Sequence, residues 1–343
     1  MRPRPPSALI LIALLACSGT LAGADGADTA PIRLGYQRYG TLNILKISGA
    51  LERKLQGTGI TVTWSLFPAG PQLLEGLNVG SIDIGSTGEA PPVFAQAAGV
   101  PLVYVGTEPP NPDSEGLLVP KDSPITAVAQ LKGRKIALNK GSNVHYFLVK
   151  LLEANGLAYG DVQVEYLKPA DARSAFERGA VDAWAIWDPF YTAAKTDTGA
   201  RVLADGTKLV ANREFFLAHR DFATKHPHEL RLVLDALAEA DVWASHDPAA
   251  VGKALSPDVG LPAPVLEEIA RRQSRGVFPV DAAIIADQQR IADVFLGLKL
   301  IPQAITVADI VPAPVEPAAG IGAGAVPPAN ADATSATSGA NAR

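Results

Sequence analysis

Three junctions in this chain share one design: an apolar, strand-like run meets a short polar turn, and a helix-like run begins there. They read IDIGSTGEAPPVFAQAAG (Ile82–Gly99), IALNKGSNVHYFLVKLLEANG (Ile136–Gly156) and AWAIWDPFYTAAKT (Ala183–Thr196). A two-residue period passing into a 3.6-residue period across small turn residues marks a β–turn–α unit. Repeated, such units build α/β sheets with covering helices. Further strand-like runs fall at Ile32–Gln37, Ile60–Phe67, Pro101–Pro109, Glu115–Pro120, Val162–Leu167 and Arg213–Arg220. Helix-like runs over 41–55, 72–79, 91–98, 144–155, 171–178 and 189–195 separate them, and the alternation predicts parallel strands. From His228 on the pattern is mainly helical, near 228–245, 248–254, 263–273 and 281–298.

One echo organises these units. Pro68-Ala69, a helix and LNVGSIDIG (Leu77–Gly85) are paralleled by Pro169-Ala170, a helix and FERGAVDAW (Phe176–Trp184). Whole elements correspond in order, which predicts two related α/β lobes. The chain would cross between them near 112–117 and return near 210–216. Lobe I then takes residues 31–115 and 215–311, and lobe II takes 116–214. At 343 residues the chain has room for two such lobes and tails. Ligands of open α/β sheets bind beyond the carboxyl ends of the strands, here the cleft between the lobes.

The ends read differently. Arg2 and Arg4, the apolar run Ala8–Leu15 and Ala22-Gly23-Ala24 compose a secretion signal over residues 1–24. Cys17, the one cysteine, lies inside it; Leu14-Leu15-Ala16-Cys17 also fits a lipid-attachment site, the less favoured alternative. Either way the protein is expected to work outside the cytoplasmic membrane, in the periplasm. Residues 312–343 are almost wholly Ala, Gly, Pro, Ser, Thr, Asn and Val, a composition that predicts a disordered tail.

The junctions also carry the candidate chemistry. A helix start presents unpaired N–H groups and the positive end of the macrodipole, so it receives anions. Ser86, Thr87 and Gly88 occupy the first turn; Gly141, Ser142 and Asn143 occupy the second. In the third, Asp188 reads as an N-cap before Pro189, and Trp187 as a wall for the organic part of a ligand. Gln37, at the end of the first strand, offers an uncharged amide donor. His145 reads as locally packed, and of Phe215 and Phe216 one is expected at the cleft. With a net charge of −5 and no basic patch, the chain does not read as a nucleic-acid binder. Its five histidines show no metal spacing, no GxSxG elbow or phosphate loop occurs, and the carboxylates are scattered. An enzyme is therefore not expected, nor a cofactor or metal.

GYQRYG, FPAGPQLLEGLNVGSIDIGSTGEAPPVFAQAAG, YVGTEPP, VAQLKGRKIALNKGSNVH, LKPADARSAFERGAVDAWAIWDPF and RVLADGT together resemble the aliphatic sulfonate-binding proteins of bacterial ABC importers, with taurine- and nitrate-binding proteins as relatives. The resemblance spans Ile32–Pro312. It implies the type II periplasmic binding-protein fold: two Rossmann-like lobes joined by a hinge around an interlobe cleft. It implies a monomer that captures an alkanesulfonate and delivers it to a membrane permease and its ATPase for sulfur uptake. It also implies a sulfonate held without a dedicated arginine or lysine, with ligand-binding positions at Gln37, Ser86, Thr87, Gly88, Gly141, Ser142, Asn143, Trp187 and Asp188. Taurine, nitrate or a pyrimidine precursor are the alternative ligands, and an enzyme on the same fold is the alternative class.

Overall fold

The structure, a computed structural model, describes residues 31–312. The expected signal segment, Cys17 and the tail beyond Pro312 lie outside the described residues. The elements in order are β1 (Ile32–Tyr36), α1 (Gly40–Ser48), α2 (Ala50–Leu55), β2 (Val62–Leu66), α3 (Gly70–Asn78), β3 (Ile84–Thr87), α4 (Pro91–Ala97), β4 (Leu102–Thr107), β5 (Glu115–Val119), β6 (Lys135–Leu138), α5 (Asn143–Ala154), β7 (Gln163–Tyr166), α6 (Pro169–Glu177), β8 (Ala183–Trp187), α7 (Phe190–Thr198) and β9 (Arg201–Asp205). The return strand β10 (Phe215–His219) is followed by helices α8 (Arg220–Lys225), α9 (Pro227–His246), α10 (Pro248–Val259), α11 (Ala263–Arg272) and α12 (Ala282–Gly297).

The strands form two five-stranded sheets with one topology, β2-β1-β3-β10-β4 and β7-β6-β8-β5-β9. In the first, β10 runs antiparallel to β3 and β4; in the second, β5 runs antiparallel to β8 and β9. Each odd strand is the one that enters from the other sheet. The expectation of parallel strands is thus corrected: a chain that crosses directly between lobes arrives from the opposite end and must pair antiparallel. The crossings run over 108–114 and 206–214. Registers match as well, since Thr87 lies opposite Phe215 and Trp187 lies opposite Glu115. The α/β two-lobe expectation stands, with mixed sheets.

Three apolar layers hold this frame. One face of the first sheet is covered by α1, α2 and α9 through Leu34, Leu45 and Leu237. Its other face is covered by α3, α4 and α12 through Leu73, Tyr104 and Phe295. The second sheet packs Leu117, Leu138 and Trp184 against Phe147 and Phe176. Each such side chain removed from water contributes about 1.5–3 kcal/mol. Both Phe215 and Phe216 are fully buried in this core, so neither reaches the cleft.

Local chemistry corrected several boundaries. The single helix expected over 41–55 is two, because Gly49 adopts φ 62°, a left-handed turn that ends α1 and starts α2. Strand β9 and helix α8 leave no clear pattern in the sequence: RVLAD mixes charge into a run of five, and α8 follows β10 without a break.

Candidate ligand cleft

A cavity enclosing about 430 Å³, including its mouth, lies between the two sheets. Gln37 reaches it from the end of β1, Gly70 from the first turn of α3, and Gly88 from the turn after β3. From the second sheet come Trp187, at the end of β8, and Asn143, the first residue of α5. The crossings contribute Asn111, Asn212 and Glu214, and Tyr39 and Pro91 complete the lining. No lysine, arginine or histidine lines this cavity among the described residues.

Of the nine residues singled out from sequence, Gln37, Gly88, Asn143 and Trp187 share the cavity wall. Ser86, Thr87, Gly141 and Ser142 sit one layer behind, all buried, with hydrogen bonds of their own. The Ser86 carbonyl accepts from Gln37 Nε2 at 3.1 Å, and the Thr87 hydroxyl donates to the Gly88 carbonyl at 3.0 Å. The Gly141 N–H donates to His145 Nδ1 at 3.1 Å, so the His145 Nε2–H faces the Tyr159 hydroxyl at 2.7 Å. Burial, then the Lys140 charge, lowers the His145 pKa to about 3, keeping the ring neutral. The Ser142 hydroxyl and N–H both point to the Asn139 carbonyl.

The helix starts therefore differ in what they offer. Pro91 and Pro92 fill the first two positions of α4 and carry no N–H, so those two positions of the helix start supply no donor. In α5, Ser142 N–H and His145 N–H are engaged, which leaves the amides of Asn143 and Val144. Asp188 turns away from the cavity. Its carboxylate accepts from the Thr192 N–H and hydroxyl at 3.1 and 2.7 Å, and is ion-paired with Arg272. Helix α7 starts at Phe190, so Asp188 caps it from one residue further out than the sequence suggested. Burial raises the Asp188 pKa, and Arg272 opposes that shift.

The crossings hold what the sequence reading missed. Asn143 Nδ2 donates to Glu115 and, at 2.8 Å, to Asn212 Oδ1. Asn212 Nδ2 donates to the Asn111 carbonyl at 2.7 Å, and Asn111 Nδ2 to the Ser274 carbonyl at 3.1 Å. One amide chain thus links the cavity wall to both crossings. Four buried carboxyls, Glu89, Glu108, Glu115 and Glu214, gather around it, where the sequence showed only scattered acids. Burial lifts Glu89 and Glu214 to about 7, the Ser86 hydroxyl opposing the shift at Glu214. Burial and then the Glu89 charge raise Glu115 well above the carboxylate range. The available signal was positional: Asn111 and Asn212 each stand a few residues before the strand that follows their crossing.

The lobes touch on both flanks. Phe94 of α4 stacks on His145 with ring centroids 6.1 Å apart, Phe295 of α12 packs against it tilted at 5.3 Å, and Tyr146 meets Phe295 at 6.0 Å. On the other flank Arg272 of α11 reaches Asp188 and the Thr192 hydroxyl. A Cβ on Gly88 would lie 2.9 Å from Asn143 Cγ, so backbone from one lobe meets a side chain from the other.

Comparison with known proteins agrees with this architecture. A family model described as NMT1/THI5 like matches residues 57–251. A putative aliphatic sulfonates-binding protein of Escherichia coli is 45% identical over 87% of this chain and 93% of its own length. The chain belongs to the aliphatic sulfonate-binding family. Two solved members overlay closely. The alkanesulfonate-binding protein of Xanthomonas axonopodis pv. citri, bound to MOPS, has a TM-score of 0.80 at 44% identity, covering 83% of this chain and 99% of that one. The periplasmic aliphatic sulphonate binding protein of Escherichia coli has 0.75 at 43%, covering 88% and 98%. These family members are binding proteins and not enzymes.

Proposed function

We propose that the protein captures an aliphatic sulfonate in the cavity between its sheets and delivers it to the permease and ATPase of an ABC importer. The reading includes export through a signal over residues 1–24 and work in the periplasm as a monomer. The observation that carries it is a cavity walled by uncharged amides from both lobes, without a basic side chain. A sulfonate is a strong acid's anion, tetrahedral, with three acceptor oxygens. It gains more from several neutral donors converging on it than from one cation. The Asn143 and Val144 amides and the second Gln37 N–H supply such donors, and Trp187 would cover the organic carbons. Of the residues behind the wall, Ser86, Thr87, Gly141 and Ser142 shape the turns, while Asp188 fixes the closing seam.

One feature favours a variant of this reading. Glu214 lines the cavity and the Xanthomonas relative was solved with MOPS, a sulfonate bearing a ring amine. A sulfonate with a protonated amine would place that cation by Glu214. Titration calorimetry with ethanesulfonate, taurine, nitrate and sulfate tests both. Ethanesulfonate or taurine should bind with a one-to-one saturable heat that nitrate and sulfate do not match. Silence with both sulfonates would overturn the proposal.

A further inference from the structure

A second cavity, enclosing about 330 Å³ with its mouth, lies beside the first and shares Tyr39 as a wall. It is set between α1, the α10–α11 pair and Pro189 at the start of α7. Its far wall is apolar, with Leu266 and Ile269. Against this wall stand three polar side chains that are nine-tenths or more buried. Asn43 is 1% exposed and Gln273 9%, and the Arg275 side chain is 2% exposed. All three have atoms without a partner: both polar atoms of Asn43, Gln273 Nε2, and Arg275 Nε and Nη1. A buried donor left without an acceptor is costly, and here four lack a hydrogen bond, of which only Arg275 Nη1 has an ion-pair partner.

The bonds that do exist fix these groups in position. Arg275 Nη2 donates to Gln273 Oε1 at 2.7 Å, leaving the amide nitrogen over. Asp241 is ion-paired with Arg275 Nη1 at 3.8 Å, a separation too long for a hydrogen bond. It already accepts from the Thr41 hydroxyl at 2.6 Å and the Gly276 N–H at 3.1 Å. With the exposed Arg38 on the rim, two cations stand near Asp241 and the buried Glu108, whose carboxyl is raised well above the ordinary carboxylate range by burial and the Asp241 charge. The buried side chains on this wall are rich in free hydrogen-bond donors.

We infer that this second cavity is a binding site for a carboxylate, or a similar acceptor-rich acidic group, carried on a short apolar chain. The oxygens take the Asn43, Gln273 and Arg275 donors, and the carbons lie on Leu266 and Ile269. Two sources offer that chemistry: the distal end of a bifunctional sulfonate extending past Tyr39, or a free small carboxylate. The first source rests on the function proposed above; the second does not.

Calorimetry on the full chain separates them. ω-Carboxyalkanesulfonates of increasing length are compared with alkanesulfonates of equal carbon number, and butyrate is titrated alone and after ethanesulfonate. The inference expects a gain of about tenfold for at least one carboxylated length, as one well-made charge-assisted hydrogen bond gives. That gain identifies the ligand's distal end. Saturable butyrate binding undiminished by ethanesulfonate identifies the free carboxylate. Asn43→Leu and Gln273→Leu should each abolish the effect while ethanesulfonate affinity stays within about twofold. Should either variant fail to fold, as judged by its melting transition, the wild-type ligand series decides alone. No gain at any length together with no butyrate heat means the cavity holds water only, and overturns the inference. So does a gain that survives both substitutions. Failure of ethanesulfonate itself would defeat the functional reading, and the butyrate titration would still judge the cavity.

Discussion

The turns after β3 and β8 hold the same place in their sheets, yet they close the cleft by opposite means. The last strand residues, Thr87 and Trp187, stand opposite Phe215 and Glu115 in matching registers. The next residue is Gly88 in one lobe and Asp188 in the other. Gly88 works by having no side chain: Asn143 of the other lobe fills the space a Cβ would take. Asp188 works by a fully buried carboxylate held between its own helix α7 and Arg272 of the facing lobe. Related lobes can keep one topology and still divide the work, one turn supplying close approach and the other a charged tie.

Removing the tie should have the largest effect. Arg272→Ala leaves the Asp188 carboxylate buried without its cation, a change that costs roughly 3–5 kcal/mol when the pair cannot rehydrate. Opening the cleft rehydrates it, so the cost should appear as lost closure. Ethanesulfonate affinity is expected to fall at least about 100-fold. Small-angle scattering should show a larger radius of gyration with ligand than the parent shows. Unchanged affinity would reduce the pair to surface decoration. Gly88→Ala comes next. The backbone there has no positive φ, so alanine suits the turn, but its methyl meets Asn143 at 2.9–3.0 Å. Affinity should drop about 10- to 100-fold while the ligand-free melting temperature barely moves, as a clash made only on closure requires. A matched fall in melting temperature would place the strain inside one lobe.

The sequence carried the frame well because the frame is periodic. Strand-to-helix alternation and the Pro68/Pro169 echo reported two lobes, and Gln37, Gly88, Asn143 and Trp187 were legible as residues where strands end. The rest depends on contacts far apart in the chain. Asp188 looks free in the sequence because Arg272, its partner, lies 84 residues on. Gly141 and Ser142 look like open donors because His145 and the Asn139 carbonyl take them only after the turn has folded. The amide chain through Asn111 and Asn212 needs both crossings side by side before either asparagine has meaning.

The acids divide the lobes again, and their effect is intermediate. Glu214 precedes β10 and lines the cavity, whereas Glu115, the first residue of β5, accepts from Asn143 and does not line it. Burial raises Glu214 to about 7, above the ordinary value of an unfolded chain. The folded state therefore holds its proton over the window from about 4.5 to 7 where the unfolded state has released it. Stability contributed by this group falls as pH rises through that window. An anion bound beside Glu214 strengthens the same preference. Ethanesulfonate affinity is expected to weaken about five- to tenfold between pH 6 and 8.5. Glu214→Gln should flatten both the affinity and the melting-temperature profiles. A profile unchanged by the substitution would assign the titration to Glu89, lifted to about 7 by the same cause.

The smallest effect tests the strand ends themselves. Trp187 lines the cavity; Thr87, its counterpart, is fully buried and its hydroxyl donates to the Gly88 carbonyl. Thr87→Val keeps the shape and removes that one bond, which should lower stability by about 1 kcal/mol. Ligand affinity should stay within about twofold, because the hydroxyl is engaged inside its own lobe. Trp187→Phe, tested alongside, should cost more with each methylene added to the sulfonate, as the lost ring area comes from the wall along the organic chain. If Thr87→Val instead weakened ethanesulfonate as strongly as it weakens longer ligands, and by tenfold or more, its hydroxyl would be a head-group donor after all. The two strand ends would then share one role, and the division of labour between the lobes would be confined to Gly88 and Asp188.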